Sequence, residues 1–346
     1  MERLAAIEPL EDVEFDPTLV AEMEAEAALR ATAGRPIAPL RFATPTFREY
    51  ETSELSGCSK GSFPAFSITG SACALECDHC RTEILKPMIP ALHPAEFDAR
   101  VRDMIALTGL SGFLLSGGSD KRNEIRYERF YPVLEKLKRD FPRLEIALHS
   151  GLIDETRART MAAAGVDTVM MDVIGSDDTI REVYHLDRRV EDFEATLAAL
   201  TATSMKVVPH VVIGLHYGEI RGEARALDIV ARHPVSSLVF VVIMPFYGVP
   251  GRFVEPATAD VGRLFLEGRR RLPDRDVLLG CARPAGMHKR ATDAYAVMAG
   301  LDAVAFPADG AVEVARMIGR AHERKVSCCS TDDLAEGRGR VAPCAA

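Results

Sequence analysis

The sequence predicts an α/β fold: a TIM-type (β/α)8 barrel, complete or partial, with a helical extension before it and a cysteine-bearing tail after it. Three observations point there. From Phe66 onward, short β-branched or apolar runs alternate with amphipathic helical patterns, the arrangement that builds a parallel sheet. Eight such runs occur, and eight βα units need roughly 250 residues. The runs are apolar almost throughout, which suits strands covered on both faces.

In chain order, residues 1–60 read as the extension. An acidic, Ala-rich helix over Pro17–Ala33 is closed by Gly34, and a segment punctuated by Pro36, Pro39 and Pro45 follows. The barrel is expected over 61–323, with strands centred on Ser67, Phe113, Ile146, Val169, Val211, Val239, Leu278 and Val304. Between them, Pro94–Leu107 carries Phe97, Val101 and Met104 on one helical face with Gly109 beyond its end. Val190–Leu200 repeats the pattern with Phe193, Leu197 and Leu200. Residues 324–346 form the tail. A closed barrel is favoured over an open one of six units, and either places its functional residues in the loops after the strands' carboxyl ends.

A chain of 346 residues that is 47% hydrophobic and 27% charged is neither disordered nor fibrous. Its formal charge of −9, from 42 basic and 51 acidic residues, argues against a general polyanion binder, so nucleic acid is not an expected partner. The longest apolar run, Leu238–Phe246, falls short of the ~18 residues of a membrane span. Met1–Asp16 is acidic and lacks the basic flank and apolar core of an export signal, so a cytoplasmic protein without membrane association is expected. In that compartment the eight cysteines (58, 73, 77, 80, 281, 328, 329 and 344) are metal ligands or catalytic thiols rather than disulfides.

Three of them crowd into Cys73-Ala-Leu-Glu-Cys77-Asp-His-Cys80, a C-x3-C-x2-C loop leaving the first expected barrel strand. Three thiolates on a [4Fe–4S] cluster leave one iron without a protein ligand, open to another molecule, whereas ferredoxin-type clusters use four. The alternatives are zinc completed by His79, or three structural thiols. Zinc prefers four ligands, and His79 lies directly between two ligand positions, where its ring strains to face the same metal.

This loop, with the ring of His79 just before its last cysteine, resembles the radical S-adenosylmethionine (SAM) superfamily. The resemblance implies that SAM chelates the open iron through its amine and carboxylate. An electron from the cluster then cleaves the sulfonium, and a 5′-deoxyadenosyl radical abstracts hydrogen from an unactivated carbon. It further implies that Ser116-Gly117-Gly118-Ser119 stands for the GGE-like motif that receives the SAM amine, with Ser119 in place of the acidic residue. Asp172 would accept the ribose hydroxyls, and the Ile213-Gly214 edge would hold adenine.

Cys281 directly follows the seventh expected strand and so belongs on the rim that carries the triplet, where it is a candidate auxiliary-cluster ligand and sulfur-delivery residue. Cys58, Cys328 and Cys329 are the other candidate auxiliary ligands, although barrel topology places their attachment points at the opposite face. Arg283 and Tyr247 are candidate pocket contacts. His149, His210 and His216 lie near strand ends, either as substrate contacts or as structural imidazoles.

Across Leu40–Pro307 the chain is similar to the biotin synthase and lipoyl synthase branch, and most like one subunit of the archaeal-type two-protein lipoyl synthase. That likeness rests on Phe63–Gly70, Pro209–His216 with Gly218-Glu219, Met244–Gly251 and Gly280–Pro284. It implies sulfur insertion into an octanoyl chain on a lipoyl carrier protein, with an auxiliary [4Fe–4S] cluster as donor, a second radical SAM protein as partner, and ferredoxin or flavodoxin as electron source. The sequence lacks the C-x4-C-x5-C and Arg-Ser-Ser-Tyr motifs of single-chain lipoyl synthase, which favours the split type. Rival readings are radical chemistry on a free small molecule, as in biotin synthase relatives, an iron–sulfur redox sensor or carrier, and a scaffold subunit without catalysis.

Overall fold

A computed structural model describes residues 1–34, 37–44, 52–54 and 63–325. Eleven strands form one sheet: β1 (Leu40–Ala43), β2 (Ala65–Ser67), β3 (Ile89–Pro90), β4 (Gly112–Ser116), β5 (Glu145–His149), β6 (Thr168–Asp172), β7 (Lys206–Ile213), β8 (Ser237–Val242), β9 (Asp276–Leu279), β10 (Ala303–Ala305) and β11 (His322–Lys325). Eleven α-helices accompany them: α1 (Glu2–Ala5), α2 (Pro17–Thr32), α3 (Pro94–Thr108), α4 (Tyr131–Asp140), α5 (Glu155–Ala163), α6 (Asp177–Glu182), α7 (Val190–Thr201), α8 (Glu223–Arg232), α9 (Thr258–Arg271), α10 (Gly286–Met298) and α11 (Ala311–Met317).

All eight expected barrel strands are present, and every ladder between neighbouring strands is parallel. The sheet is nevertheless open, in the order β11-β1-β10-β9-β8-β7-β6-β5-β4-β2-β3. This corrects the favoured closed barrel. Closure requires β2 beside β10, but β1 takes that side of β10, pairing Arg41 with Ala303 and Ala43 with Ala305. β11 then lies outside β1, with Leu40 opposite His322 and Ala43 opposite Lys325.

The two faces of the sheet are chemically distinct because side chains alternate along a strand. Ile146, Leu148, Val169, Met171, Val207, Val211, Phe240 and Leu279 join the large core beneath the helices. Ala147, Met170, Val208, Val239, Leu278 and Ala303 form a separate cluster on the concave face. The period of two then puts His149, Asp172, His210, Val241, Gly280 and Ala305, two residues further along, one layer nearer the carboxyl rim on that concave face.

The helices follow local rules. Asp16 caps α2 through Thr18 N and Leu19 N, with Pro17 at the first turn. α3 buries Phe97 and Val101 and ends on Gly109 at φ 66. Leu4, Leu10, Leu19 and Met23 of the amino-terminal segment lie in the same apolar core as the strands. There Phe15 meets Tyr295 edge-on at 5.3 Å. No helix among the described residues is long and apolar enough to cross a membrane.

Candidate active site

The cysteine loop leaves β2 and is pinned at both ends. Ser67 Oγ donates to Gly70 O at 2.6 Å, Gly118 N donates to Thr69 Oγ1 at 2.7 Å, and Ala74 N donates to Ser119 O at 2.9 Å. Glu76, Arg81 and Thr82 carry φ of 48°, 45° and 65°, values non-glycine residues seldom adopt, so the chain is wound tightly here. Cys77 is buried, and Cys73 and Cys80 are half-buried.

The thiols fit an iron–sulfur cluster. Burial, then the fields of Cys80 and Cys73, push the Cys77 thiol far above its usual range; burial raises Cys80 to about 11. Cys77 and Cys80 therefore ionise readily only beside a cationic centre, which a cluster of irons would supply. Among the described residues, the one group of His, Cys, Asp or Glu donor atoms close enough for a single ion is His149, Asp172 and His210, whose atoms lie within 4.8 Å of one another. His79 does not turn to the cysteines as a fourth ligand: its ring tilts over Tyr184 at 4.8 Å, and its Nδ1 is buried without a partner.

The loop after β4 forms the wall behind the triplet. Ser116 is buried, and a Cβ on Gly118 would stand 2.0 Å from Ala72 O and 2.6 Å from Cys73 Cα. A Cβ on Gly117 would meet Ile68 Cγ1 at 2.7 Å. The glycines are needed where the cysteine loop packs on them.

Asp172, at the end of β6, is a half-buried carboxylate. Burial alone would raise its pKa, but His149, His210 and His79 face it and hold it at about 2. His149 Nε2 is 3.8 Å from Oδ1, too far for a hydrogen bond, and Tyr184 Oη lies 3.4 Å from Oδ2. His149 and His210 stack at 5.6 Å. Burial lowers His79 and His210 to about 4, so both rings are neutral at pH 7 and Asp172 is ionised. This gives a signed expectation. Free imidazoles titrate near 6.5, so between about 6.5 and 4 the unfolded chain binds more protons than the native one and stability falls with pH, with the loss complete below about 4. Asp172 adds a further loss between 3.8 and about 2. The thermal midpoint of the cluster-free protein should drop across the first window, and His210→Gln should flatten part of that drop. A flat profile would contradict rings held neutral in the native state.

The remaining expected residues divide. Ile213 turns its side chain into the helix-facing core, leaving only its backbone for a ligand. Gly214 adopts φ 74 and donates its N–H to Glu223 Oε1 at 2.8 Å. Cys281 is exposed just beyond β9, on the rim that bears the triplet. Arg283 is corrected from a pocket contact to a strut. Its Nε and Nη2 grip Asp293 at 2.6 and 2.8 Å, while Nη1 and Nη2 reach the Gly280 and Phe306 carbonyls at 2.8 and 3.0 Å. Its side chain is fully buried, so no donor faces a substrate. His216 Nδ1 is held 3.2 Å from Thr179 Oγ1. Cys58, Cys328, Cys329 and Cys344 lie outside the described residues.

Sequence reasoning missed the Asp78 carboxylate, between the second and third cysteines, with its partners His185, Tyr217 and Arg252. An acidic residue between two ligand positions was the available signal.

Comparisons with known proteins bear on the family and the fold. The radical SAM superfamily profile matches residues 67–228. The biotin synthase of Desulforudis audaxviator (strain MP104C) is 28% identical over 176 residues, which are 50% of this chain and 51% of that one. The chain thus matches about half the length of this relative. The crystal structure of methylornithine synthase (PylB) superposes with a TM-score of 0.54 over 96% of this chain and 88% of that one, at 13% identity. That of HydG, a maturase of the [FeFe]-hydrogenase, gives 0.58 over 86% and 63%, at 12% identity. The structural likenesses speak for the fold alone, and the sequence matches speak for the family. Residues 67–228 are thus similar to the radical SAM superfamily, and about half of the chain is similar to a biotin synthase.

Proposed function

We propose that this radical SAM enzyme inserts sulfur into the octanoyl chain of a lipoyl carrier protein. It draws the sulfur from an auxiliary iron–sulfur cluster, acts beside a second radical SAM protein, and takes electrons from a ferredoxin or flavodoxin. The observation that carries this reading is Cys281, exposed on the same rim as Cys73, Cys77 and Cys80.

The open sheet favours keeping Cys58, Cys328 and Cys329 as candidate auxiliary ligands. Because β1 and β11 run parallel to β10, the chain leaves both at the carboxyl rim, where Thr44 N donates to Lys325 O at 2.8 Å. Glu54 is fixed at the start of α11, accepting the N–H groups of Gly310, Val312 and Glu313 at 2.9, 3.3 and 3.0 Å. Cys58 is four residues beyond Glu54 and Cys328 three beyond Lys325, spans of at most about 14 and 11 Å.

The concave face supports an acyl substrate. On β5 to β7 its upper layer holds His149, Asp172 and His210, a polar end suited to a nucleoside. On β8 to β10 it holds Val241, Gly280 and Ala305, small and apolar, suited to an alkyl chain. When bound, the cluster supplies the electron that cleaves SAM to the hydrogen-abstracting radical. The chain's own residues do the rest. Asp172 would offer an ionised acceptor to the ribose, the backbone at Gly117, Gly118 and Ile213 would be open to the cofactor, and the apolar strands would exclude water and hold the target carbon within ~3–3.5 Å of the abstracting radical.

The test is anaerobic reconstitution, then incubation with SAM, a reductant and an octanoylated carrier peptide, with and without a partner radical SAM protein. About eight irons per chain, 5′-deoxyadenosine and a peptide mass gain of sulfur are expected. Four irons and no mass gain would overturn sulfur insertion. Cys281→Ala should keep SAM cleavage and lose thiolation; unchanged thiolation would remove Cys281 from the auxiliary site. The likeness to biotin synthase favours one second reading, sulfur insertion into a free small acid. It is distinguished by product formation without the carrier.

A further inference from the structure

Asp78 joins the cysteine loop to three rim loops at once. Its carboxylate receives His185 Nε2 at 2.8 Å from the segment after α6, Tyr217 Oη at 3.0 Å from the loop after β7, and Arg252 Nη1 at 2.7 Å from the loop after β8. Its backbone is held as well: Asp78 N donates to Val183 O and Val249 N donates to Asp78 O, both at 2.9 Å. The Arg252 guanidinium lies 4.3 Å over the Tyr217 ring, and the Tyr217 hydroxyl also reaches Glu182 O at 2.9 Å. His185 and Tyr217 both sit at φ 57, a conformation a side chain tolerates only when its surroundings hold it there.

We propose that Asp78 and Arg252 are a positioning pair that sets both the place and the reduction potential of the cluster carried by Cys73, Cys77 and Cys80. The inference rests on the radical SAM reading of that loop. Asp78 adjoins Cys77 in the chain and its side chain is only 10% exposed, so its charge acts on the cluster through protein rather than water. Arg252 cancels that charge from the outside, but it is 52% exposed and its field is partly screened. Reduction adds one negative charge to the cluster. An uncompensated Asp78 therefore opposes reduction, and an uncompensated Arg252 favours it.

The experiment is a redox titration, followed by electron paramagnetic resonance, of the reconstituted wild type, Asp78→Asn, Arg252→Gln, the double variant and Tyr217→Phe. Asp78→Asn should move the potential upward and Arg252→Gln downward, with the larger shift for Asp78→Asn. The charge-balanced double variant should return toward the wild-type value. Tyr217→Phe should leave the potential close to wild type, because it changes no charge. If Asp78→Asn assembles no cluster, Arg252→Gln and Tyr217→Phe still decide the question. Unchanged potentials, or shifts of one sign in both single variants, would overturn the proposal. A wild type that takes up no open-site cluster would instead overturn the reading of the loop itself.

Discussion

Cys77→Ala is expected to abolish SAM cleavage while leaving the protein folded. Cys77 is 4% exposed and its sulfur is one small apolar group in the native packing, so its removal costs on the order of 1 kcal/mol. Its loss leaves two sulfurs where an open-site cluster needs three, and iron content should fall by about four per chain. Product chromatography under reducing, oxygen-free conditions should find no 5′-deoxyadenosine, while the thermal midpoint moves by only a few degrees. Turnover at the wild-type rate would mean that the triplet does not carry the chemistry.

Gly118→Ala should be nearly as damaging, for a steric reason. The added carbon would lie 2.0 Å from Ala72 O, 2.6 Å from Cys73 Cα and 2.7 Å from Cys73 Cβ. These atoms are backbone or fixed to it, so relief requires moving the cysteine loop. Overpacking of this kind costs about 1–3 kcal/mol. Here the displacement falls on a cluster ligand, so cluster occupancy and SAM cleavage should drop at least about tenfold, since a misplacement of ~1 Å is enough for that. Gly109→Ala is the control. Gly109 has open space around it and φ 66 at the end of α3, so that change should cost about 1 kcal/mol and leave iron content unaltered. Iron loss of equal size in both variants would refute the steric account.

What could be read from the sequence follows the range of the interactions. Strands such as Ser237–Val242 are legible because burial on both faces demands apolar residues in an unbroken run. The triplet is legible because its ligands lie within eight residues. By contrast β11 reads His-Glu-Arg-Lys: an edge strand bears charged side chains without penalty, and nothing local distinguishes it from a polar turn. Its partner β1 is four residues inside a proline-punctuated segment, and without these two strands the sheet looks as though it should close. Arg283 was misread because its partner Asp293 is on α10, while its nearest chain neighbours are loop residues. His149 and His210 are legible as strand-end residues, and each lies two residues beyond a concave-face position, Ala147 and Val208.

The most direct measurement is electron paramagnetic resonance of the reduced, reconstituted protein before and after SAM is added, with the SAM amine labelled with nitrogen-15. A cluster held by Cys73, Cys77 and Cys80 with one open iron should give a signal that shifts on addition and a hyperfine coupling from the labelled amine, both absent in Cys77→Ala. A signal indifferent to SAM, or zinc bound in its place by all three cysteines, would contradict it.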